Sequence, residues 1–428
     1  MKRTISFKTL GCRLNQCETD SLASQFSGNG YEIVDFSKKS DVVVINTCTV
    51  TQQSDHKSRN LISQAVRKEE KPVVVVAGCM VDNYRDQLNQ WDHVTYWVDN
   101  EHKSKIFSIV EGHFSGETSD PMSFEKNRFD FGAAKDSFHT RSLIKIQDGC
   151  DNFCTFCIIP KVRGRAVSRP ATDILENIRQ VLDFGFKEIV LTGVNIGRYR
   201  HEDMDFDHLV EKVLDLPGDF RVRISSIEPE GFGDRFINLI HHPKMTPHLH
   251  LCLQSGSDEI LYRMKRKYTV SSFYEIADKL RKQHPDFNLT TDIIVGFPGE
   301  TDEDFQQSLE MVSNIGFSHV HTFKFSMRLG TYAGKIPGHV PEKIKTGRSL
   351  MLREIAEVNK RKYFSSMAGK HQTMLVERHN SKGWANGYGE HFIPLQVKGL
   401  QILKNTFVKV KLEAVVEGKE PVMGCSLV

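Results

Sequence analysis

The sequence predicts an α/β protein in three parts: a parallel α/β domain, a partial (β/α)6 barrel and a small antiparallel β-barrel. Strand-like and helix-like segments alternate through residues 1–115 and again through 139–365, as they do when helices join the strands of a parallel sheet. Between them, residues 116–138 lose periodicity and gather Gly, Ser and Asp, which is typical of a linker. Residues 366–428 instead carry short apolar runs separated by Gly and Asn turns, the pattern of a small barrel.

Composition indicates a soluble globular chain. Of 428 residues, 39% are hydrophobic and 26% charged, which suits two or three domains with their own cores. Lys8 interrupts the only apolar run near the N-terminus, and we expect no signal peptide and no stretch that crosses a bilayer. Nine cysteines in such a chain favour metal or redox chemistry in a reducing cytoplasm. Residues 366–428 carry eight Lys/Arg against five Asp/Glu, which equals the net charge of +3 and weakly favours a polyanionic partner.

Three cysteines follow the first predicted strand of the central domain. Cys150, Cys154 and Cys157 have the spacing C-x3-C-x2-C and come directly after the apolar run 143–147. A structural zinc site needs four protein ligands, and the next cysteine along the chain is Cys252. An iron–sulfur cluster tolerates three cysteines and leaves one iron open for an outside ligand. The spacing therefore favours an iron–sulfur cluster, with zinc or plain reduced thiols as the alternative.

The first domain is predicted to hold a second trio of thiols. Its strand-like runs RTISFKTL, DVVVIN and KPVVVVA lead respectively to Cys12, Cys48 and Cys79. In a Rossmann-like parallel sheet the carboxyl ends of neighbouring strands meet at one edge, so we expect the three thiols to converge there. The hypothesis is a second three-thiolate iron–sulfur site, and the alternative is a set of buried core thiols.

The remaining cysteines are interpreted as ordinary thiols. Cys17 lies on the first predicted helix, Cys252 inside an apolar strand and Cys425 near the C-terminus. The helix that carries Cys17 is predicted to begin at Asn15, with Glu18 three residues later completing a capping box.

Six strand-like runs are predicted in the central domain: LIKIQ, EIVLTGVN, RVRISSI, HLHLCLQ, LTTDIIVG and HVHTFKF. Six are too few for a closed eight-stranded barrel, and active sites in such barrels lie where the strands end. Glycines and polar residues occur at those ends, where they could hold a small ligand; ordinary turn chemistry is the alternative. These residues are Gly193, Asn195, Ser226, Glu228, Gln254, Ser255 and Gly296.

A series of motifs runs in order along nearly the whole chain: TLGCRLNQCE, INTCTV, VAGCM, DGCDNFCTFCIIPKVRGR, LTGVNIG, SSIEP, LQSGSDEILYRMKRKYT, DIIVGFPGE and FSMRLGTYA. With them the chain resembles the radical S-adenosylmethionine (SAM) methylthiotransferases. The resemblance implies a [4Fe-4S] cluster on the central trio of cysteines, whose open iron binds the amino and carboxylate groups of SAM. One electron then cleaves SAM to a 5′-deoxyadenosyl radical. It also implies an auxiliary [4Fe-4S] cluster on Cys12, Cys48 and Cys79 that carries the sulfur, with SAM used a second time as methyl donor.

The branch of the family is suggested by GCRLNQ (Gly11 to Gln16) and DGCDNFC (Asp148 to Cys154). These stretches are most similar to the branch that acts on N6-threonylcarbamoyladenosine at tRNA position 37, beside the anticodon. Other branches take isopentenyladenosine in tRNA or an aspartate of a ribosomal protein. Cys17 departs from the pattern, since an aromatic residue is more usual there. A different class of protein, a non-catalytic RNA-binding or iron-sensing protein, would use the clusters structurally.

The resemblance also implies contacts and partners. The expected partners are the tRNA anticodon loop and an electron donor such as flavodoxin or ferredoxin. Residues 366–428 resemble the TRAM domain, a small basic RNA-binding module, in which an exposed Trp384 or Tyr388 could stack a base. No nucleophile or triad motif is needed, because the adenine C2–H bond is not acidic. Candidate cofactor contacts are Phe156, Gly193, Asn195, Ser226, Glu228, Gln254, Ser255, Gly296 and Arg266. Candidate RNA contacts are Arg163, Arg165, Trp384 and Lys404.

Overall fold

The computed structural model describes residues 2–91, 93–135, 138–381, 383–399, 401–418 and 420–428, without the side chains of Asn89 and Gln90. The N-terminal domain is a five-stranded, wholly parallel sheet in the order β2-β1-β3-β4-β5. Its strands are β1 (Thr4–Thr9), β2 (Glu32–Ile33), β3 (Val42–Thr47), β4 (Val73–Gly78) and β5 (Tyr96–Val98). Its helices are α1 (Arg13–Gly28), α2 (Gln52–Val66), α3 (Cys79–Asn83) and α4 (Ile106–Ser115).

The central strands of this sheet are covered on both faces, which explains their continuous apolar runs. Side chains alternate along a strand. Val44 faces Phe26 of α1 and Ile106 of α4. Val43 faces the opposite layer, with Ile62 of α2.

The first helix begins earlier than predicted. Cys12, not Asn15, is its N-cap residue, and no side chain caps the helix there. The Asn15 amide instead donates to the carbonyls of Leu10 and Thr47, at 2.8 and 2.9 Å. The predicted capping box is therefore wrong, because Glu18 is drawn to buried cations described below.

The central domain contains the six predicted strands in chain order. Their main-chain pairs are all parallel in the series β6-β9-β12 and β13-β14-β15-β16, with β12 and β13 separated only by Ser225. The strands are β6 (Arg141–Lys145), β7 (Gln147–Asp148), β8 (Val167–Ser168), β9 (Glu188–Thr192), β10 (Arg200–His201), β11 (Met204–Asp205), β12 (Arg221–Ile224), β13 (Ser226–Ile227), β14 (His248–Leu251), β15 (Asn288–Val295) and β16 (His319–Lys324). The helices are α5 (Ile159–Val162), α6 (Ala171–Asp183), α7 (Phe206–Leu214), α8 (Asp234–Leu239), α9 (Asp258–Arg263), α10 (Val270–Gln283), α11 (Asp302–Ile315) and α12 (Glu342–Ser366).

The two faces of this curved sheet differ sharply in polarity. Ile144, Leu191 and the equivalent residues of the other strands pack against the helices in the largest apolar core. The opposite face, called the lumen here, is polar. Within it Arg223 Nε donates to Glu188 at 2.7 Å, and His250 lies 3.1 Å from Asp292. A polar lumen is suited to binding a polar ligand, whereas the helix-facing core supplies stability.

The C-terminal domain is a closed five-stranded barrel in the order β17-β18-β19-β21-β20. Four strand pairs are antiparallel as predicted, but β19 and β21 are parallel. The strands are β17 (His371–His379), β18 (Trp384–Tyr388), β19 (Pro394–Lys398), β20 (Phe407–Val416) and β21 (Val422–Leu427). The sequence did not predict β18 or β21.

The small barrel packs on the amino ends of the central strands. Arg221, the first residue of β12, donates to the carbonyls of Thr373 and Tyr388 at 2.8 and 3.0 Å. Asn288, the first residue of β15, donates to the carbonyl of His391 at 2.6 Å. The carboxyl ends, where the cysteine loop begins, therefore lie at the opposite end of the lumen.

The segment predicted as a linker is tied to both domains. Phe131 is buried against the N-terminal core, and the Arg128 guanidinium lies 2.6 Å from Glu101. The same guanidinium donates to the carbonyl of Arg163 at 2.7 Å. Among the residues just defined, no helix combines the length and apolar character needed to cross a bilayer.

Candidate active site

The first trio of cysteines collects at one edge of the N-terminal sheet. Thr9 of β1 pairs with Asn46 of β3, which pairs with Ala77 of β4, and Cys12, Cys48 and Cys79 follow these residues by two or three positions. Parallel register therefore brings the three loops together.

Close approach at this edge is visible at Gly11. Its φ is +92°, and a Cβ built there would lie 2.8 Å from the Cys48 Sγ. Burial raises the pKa of the Cys48 thiol to about 11, and the nearby Cys79 and Cys12 thiols add to that rise. The trio thus converges in space although its members are far apart in sequence.

The second trio lies on the loop after β7. Cys157 N donates to the Cys154 carbonyl at 3.0 Å, and Cys150 N donates to the Gly164 carbonyl at 3.1 Å. Gly149 has a φ of +69°, and a Cβ there would lie 2.0 Å from a backbone oxygen of Arg165. Only glycine therefore allows the loop to close.

Polar side chains from other strands reach these thiols. Arg266 Nη1 lies 3.1 Å from the Cys154 Sγ, and Asn195 Nδ2 lies 3.8 Å from the Cys150 Sγ. Burial raises the pKa of the Cys157 thiol to about 12, and the Cys154 and Cys150 thiols add to that rise. Since only thiolates bind metal, occupation of the site must release protons.

The two trios are adjacent. Cys79 packs against Ile158, the residue after Cys157, and against Val162 in one small buried cluster. Asn100 Nδ2 lies 3.7 Å from the Cys79 Sγ and donates to the Val162 carbonyl at 2.8 Å. The short helices α3 and α5 thus bring the two cysteine sites side by side.

A buried charge network lies beside both trios. It consists of three cations and two carboxylates: Lys103, Lys145, Arg163, Glu18 and Asp148. Lys145 Nζ is 2.8 Å from Glu18 and 2.7 Å from Asp148, while Lys103 also pairs with Glu18. Burial alone would raise the pKa of Glu18, but Arg163, Lys103 and Lys145 outweigh burial and lower it well below its usual range. The network therefore carries one net positive charge.

The prediction that Arg163 contacts RNA is wrong. Its side chain is 1% exposed and lies 2.9 Å from Asp148, and its Nη2 donates to Asn15 at 2.7 Å. Burial alone would lower its pKa, but Asp148, Glu18 and then the Cys79 and Cys12 thiols raise it above the usual value. Arg163 is a buried cation between two domains.

Two predicted cofactor residues reach the central cysteine loop, Asn195 directly and Glu228 through Arg266. Asn195 is buried, and its Oδ1 has no hydrogen-bond partner among the described residues. Glu228 forms an ion pair with Arg266. Gln254 adopts a φ of +69°, and Ser226 is exposed. Free polar atoms in this position could bind a ligand that carries amine, carboxylate and hydroxyl groups.

Other predicted cofactor residues have packing roles. A Cβ at Gly193 would meet the Gln147 carbonyl oxygen at 2.7 Å, and one at Gly296 would meet Lys345 at 2.4 Å. Ser255 is buried and accepts a hydrogen bond from the backbone of Ser257. Phe156 packs edge-on against Phe297 with ring centroids 6.4 Å apart. Packing within the chain explains these four residues.

Sequence reasoning missed Gln147. This fully buried side chain accepts hydrogen bonds from the backbone of Val194 and Asn195 at 3.1 and 2.8 Å, and it donates to the Gly149 carbonyl at 2.7 Å. It therefore joins the ends of two strands. A lone polar residue at the end of an apolar run was the only signal in the sequence.

The remaining RNA candidates differ in exposure. The Arg165 side chain is 75% exposed, lies 2.6 Å from Asp151 and lies over the exposed Phe153 ring. Lys404 is exposed and Trp384 is half-buried on β18. Tyr388 stacks on Phe392 with centroids 4.8 Å apart, so its ring is already occupied within the protein.

A cavity of about 490 Å³ opens where the three domains meet. The wall includes α1, the lumen side of β6 and β9, and the small barrel. Its lining includes Arg13, Gln16, Arg141, Leu143, Arg378 and Lys404. The cavity is therefore predominantly basic and reaches the residue that follows Cys12.

Comparison with known proteins agrees with this geometry. Residues 144–312 match the family described as the Radical SAM superfamily, and residues 4–99 match the Uncharacterized protein family UPF0004. The structure of TsrM, a radical SAM methyltransferase of Kitasatospora setae with cobalamin and a [4Fe-4S] cluster bound, aligns with a TM-score of 0.58 at 14% identity. The alignment covers 78% of this chain and 74% of that one. The sequence match and the shared fold define the class: a radical SAM enzyme.

Full-length relatives narrow the class. Threonylcarbamoyladenosine tRNA methylthiotransferase MtaB of Thermotoga maritima is 36% identical over 99% of this chain and 100% of its own length. The protein of the same name from Bacillus subtilis is 35% identical over 96% and 93%. A tRNA-2-methylthio-N(6)-dimethylallyladenosine synthase of Thermodesulfovibrio yellowstonii is 32% identical over 90% of both chains. The chain belongs to the radical SAM methylthiotransferase family.

Proposed function

We propose that this enzyme methylthiolates C2 of N6-threonylcarbamoyladenosine at position 37 of tRNA, with SAM as methyl donor and radical source. The observation that carries the proposal is the packing of Cys79, a member of the first trio, against Ile158, the residue after Cys157. Sulfur insertion requires the donor and the activated carbon to lie within contact range, and two adjacent cysteine centres meet that requirement. The names of the relatives support a tRNA adenosine as substrate.

The donor set fits two iron–sulfur clusters. Cys150, Cys154 and Cys157 would hold one, and the trio at the edge of the N-terminal sheet would hold the other. A [4Fe-4S] core bound by three thiolates is anionic, and the net positive charge of the buried network offsets that charge. When bound, the clusters with SAM supply one-electron chemistry and sulfur for attack on an unactivated C–H bond.

The chain's own residues position these groups. Arg266 places a cation on the Cys154 thiol, which favours its deprotonated form. Asn195 has a free Oδ1 beside Cys150, where it would accept a hydrogen bond from the amino group of SAM. Gln147 holds the backbone of Asn195 in place.

Iron analysis and nucleoside analysis test the proposal together. After anaerobic reconstitution the protein is expected to bind about eight irons per chain, and a variant with Cys150, Cys154 and Cys157 replaced by Ala about four. A Cys425→Ser variant, changed at a buried thiol of the small barrel, serves as the control and keeps about eight. Zinc without iron would refute the proposal.

The substrate is tested in a bacterial strain that lacks its own methylthiotransferases for both threonylcarbamoyladenosine and isopentenyladenosine. Expression of the wild-type protein is expected to restore 2-methylthio-N6-threonylcarbamoyladenosine, measured by mass spectrometry of digested tRNA. Restoration of methylthiolated isopentenyladenosine instead would assign the enzyme to the other tRNA branch. Absence of both methylthiolated nucleosides would exclude both tRNA substrates and point to a protein substrate or to no catalysis.

A further inference from the structure

Arg13 is an unpaired cation at the wall of the cavity. It is the first residue of α1 and directly follows Cys12. Its guanidinium carbon lies 5.9 Å from the centre of the Phe392 ring, and Gln16, three residues along the same helix, also lines the cavity. The side chain therefore points into the space enclosed by the three domains, next to a predicted cluster ligand.

Three neighbouring arginines are neutralised, and Arg13 is not. Arg141 Nε donates to Glu377 at 2.9 Å, while Arg221 and Arg223 both pair with Glu188. Among the residues that the structure describes, no carboxylate lies within ion-pair distance of Arg13 and no acceptor bonds to it.

Electrostatics around Arg13 point the same way. Arg141, Arg378 and Lys404 line the same cavity and add positive charge around Arg13. A guanidinium without an ion-pair partner in a basic cavity favours an anionic ligand, to which it can form charge-assisted hydrogen bonds. The cavity is thus built to accept an anion at this point.

We infer that Arg13 recognises the carboxylate of the threonylcarbamoyl group on the substrate adenosine. The inference rests on the proposed function. In adenine, C2 and the carbon that bears N6 both adjoin N1, so an N6 substituent lies close to C2. If C2 is directed towards the sulfur donor at the Cys12 site, the residue next to Cys12 is within reach of that substituent.

Two other anions fit this position less well. The carboxylate of SAM is expected at the carboxyl ends of the central strands, beside the loop of Cys150. RNA phosphates lie on the outer side of a base that has been turned into a pocket. A planar guanidinium binds a carboxylate through two parallel hydrogen bonds, and an isopentenyl group would leave Arg13 unpaired. Arg13 is therefore a specificity-determining residue that favours a charged N6 substituent.

The test uses two anticodon stem-loop oligonucleotides that carry N6-threonylcarbamoyladenosine, one as the free acid and one as its methyl ester. The reconstituted wild-type enzyme is expected to prefer the acid about 10- to 100-fold, both in Kd and in kcat/KM, since a hydrogen bond between charged groups contributes about 1.5–3 kcal/mol. Arg13→Met is expected to bring this ratio close to one. Arg13→Lys retains the positive charge but not the planar guanidinium with its two parallel hydrogen bonds. This variant is expected to show a preference for the acid between those of wild type and Arg13→Met.

Controls separate the inference from the proposed function. Arg67→Met, at an exposed arginine of the N-terminal domain, is expected to keep the wild-type ratio. An Arg13→Met enzyme that still prefers the acid as strongly as wild type would overturn the inference and leave the proposed function intact. A wild-type enzyme that modifies neither oligonucleotide would instead refute the proposed function. If Arg13→Met fails to retain iron, the ratio of acid to methyl ester is measured for Arg13→Lys instead. A ratio equal to that of wild type, or a ratio of one, would contradict the assignment.

Discussion

Replacing Glu18 by Gln is expected to lower the free energy of unfolding by about 3–5 kcal/mol, the usual cost of breaking a buried ion pair from one side. The Glu18 side chain is 1% exposed and accepts from Lys103, Lys145 and Arg163. The Gln variant leaves three buried cations with Asp148 as their only carboxylate. Urea unfolding of the wild-type and variant proteins, followed by circular dichroism, measures the difference.

The pH dependence of this difference tests its cause. The native pKa of Glu18 lies well below its usual range, so its stabilising contribution is complete above the unfolded-state pKa of about 4.3 and is lost as the pH falls towards the native value. The difference in unfolding free energy between wild type and Glu18→Gln is therefore expected to stay constant from about pH 8 to 6 and to decrease below about pH 4.3.

A matched variant and a double variant complete the test. Glu211→Gln removes an ion pair of 3.0 Å between half-exposed side chains and is expected to cost at most about 1 kcal/mol. Adding Lys103→Met to Glu18→Gln returns the net charge of the network to its wild-type value. The double variant should therefore be more stable than the sum of the two single changes predicts. The assignment of Glu18 as a stabilising buried carboxylate would be refuted by either of two results. One is an unfolding free energy of Glu18→Gln within about 1 kcal/mol of wild type. The other is a difference between the two proteins that increases as the pH falls.

Two further predictions concern the first cysteine trio and the RNA surface. Gly11→Ala places a methyl group against Cys48 and is expected to reduce iron from about eight to about four per chain. Gly30 has a similar φ of +91°, but an added Cβ would have nothing within 4 Å, so Gly30→Ala should keep the full iron content. If both variants lose the same amount of iron, backbone strain and not contact with Cys48 is the cause of the loss. Arg165→Ala is expected to weaken tRNA binding and to leave the iron content unchanged. The slope of log affinity against log salt concentration should fall by the amount expected for about one phosphate contact. An unaltered slope would exclude Arg165 from the RNA surface.

The convergence of distant cysteines could be predicted because it depends only on main-chain topology. Cys12, Cys48 and Cys79 follow strands of one parallel sheet, so their common edge follows once the strands are recognised. Burial of charge could not be predicted in the same way. Arg163 resembled a solvent-exposed arginine, and its partner Glu18 lies 145 residues earlier in the chain.

The small barrel shows a second limit, which is local. The segment Trp384–Tyr388 contains Asn386 and Gly387, a pair typical of a hairpin turn, yet it forms the strand β18. Gly387 is needed there because a Cβ would lie 1.8 Å from the Leu375 carbonyl oxygen of the neighbouring strand. Close packing between strands therefore overrides the turn preference, and the sequence carries no sign of that neighbour.

The buried network has a consequence for how substrate enters. Glu18 and Lys103 belong to the N-terminal domain and balance each other. Lys145, Asp148 and Arg163 belong to the central domain and leave one positive charge, which pairs with Glu18 across the domain boundary. Separating the domains would break the ion pairs that Glu18 forms with Lys145 and Arg163. The same residues therefore keep the two cysteine trios at a constant spacing. Under the proposed function, we expect the substrate nucleoside to enter through the basic cavity at the junction of the three domains, past Arg13, while these ion pairs hold the domains together.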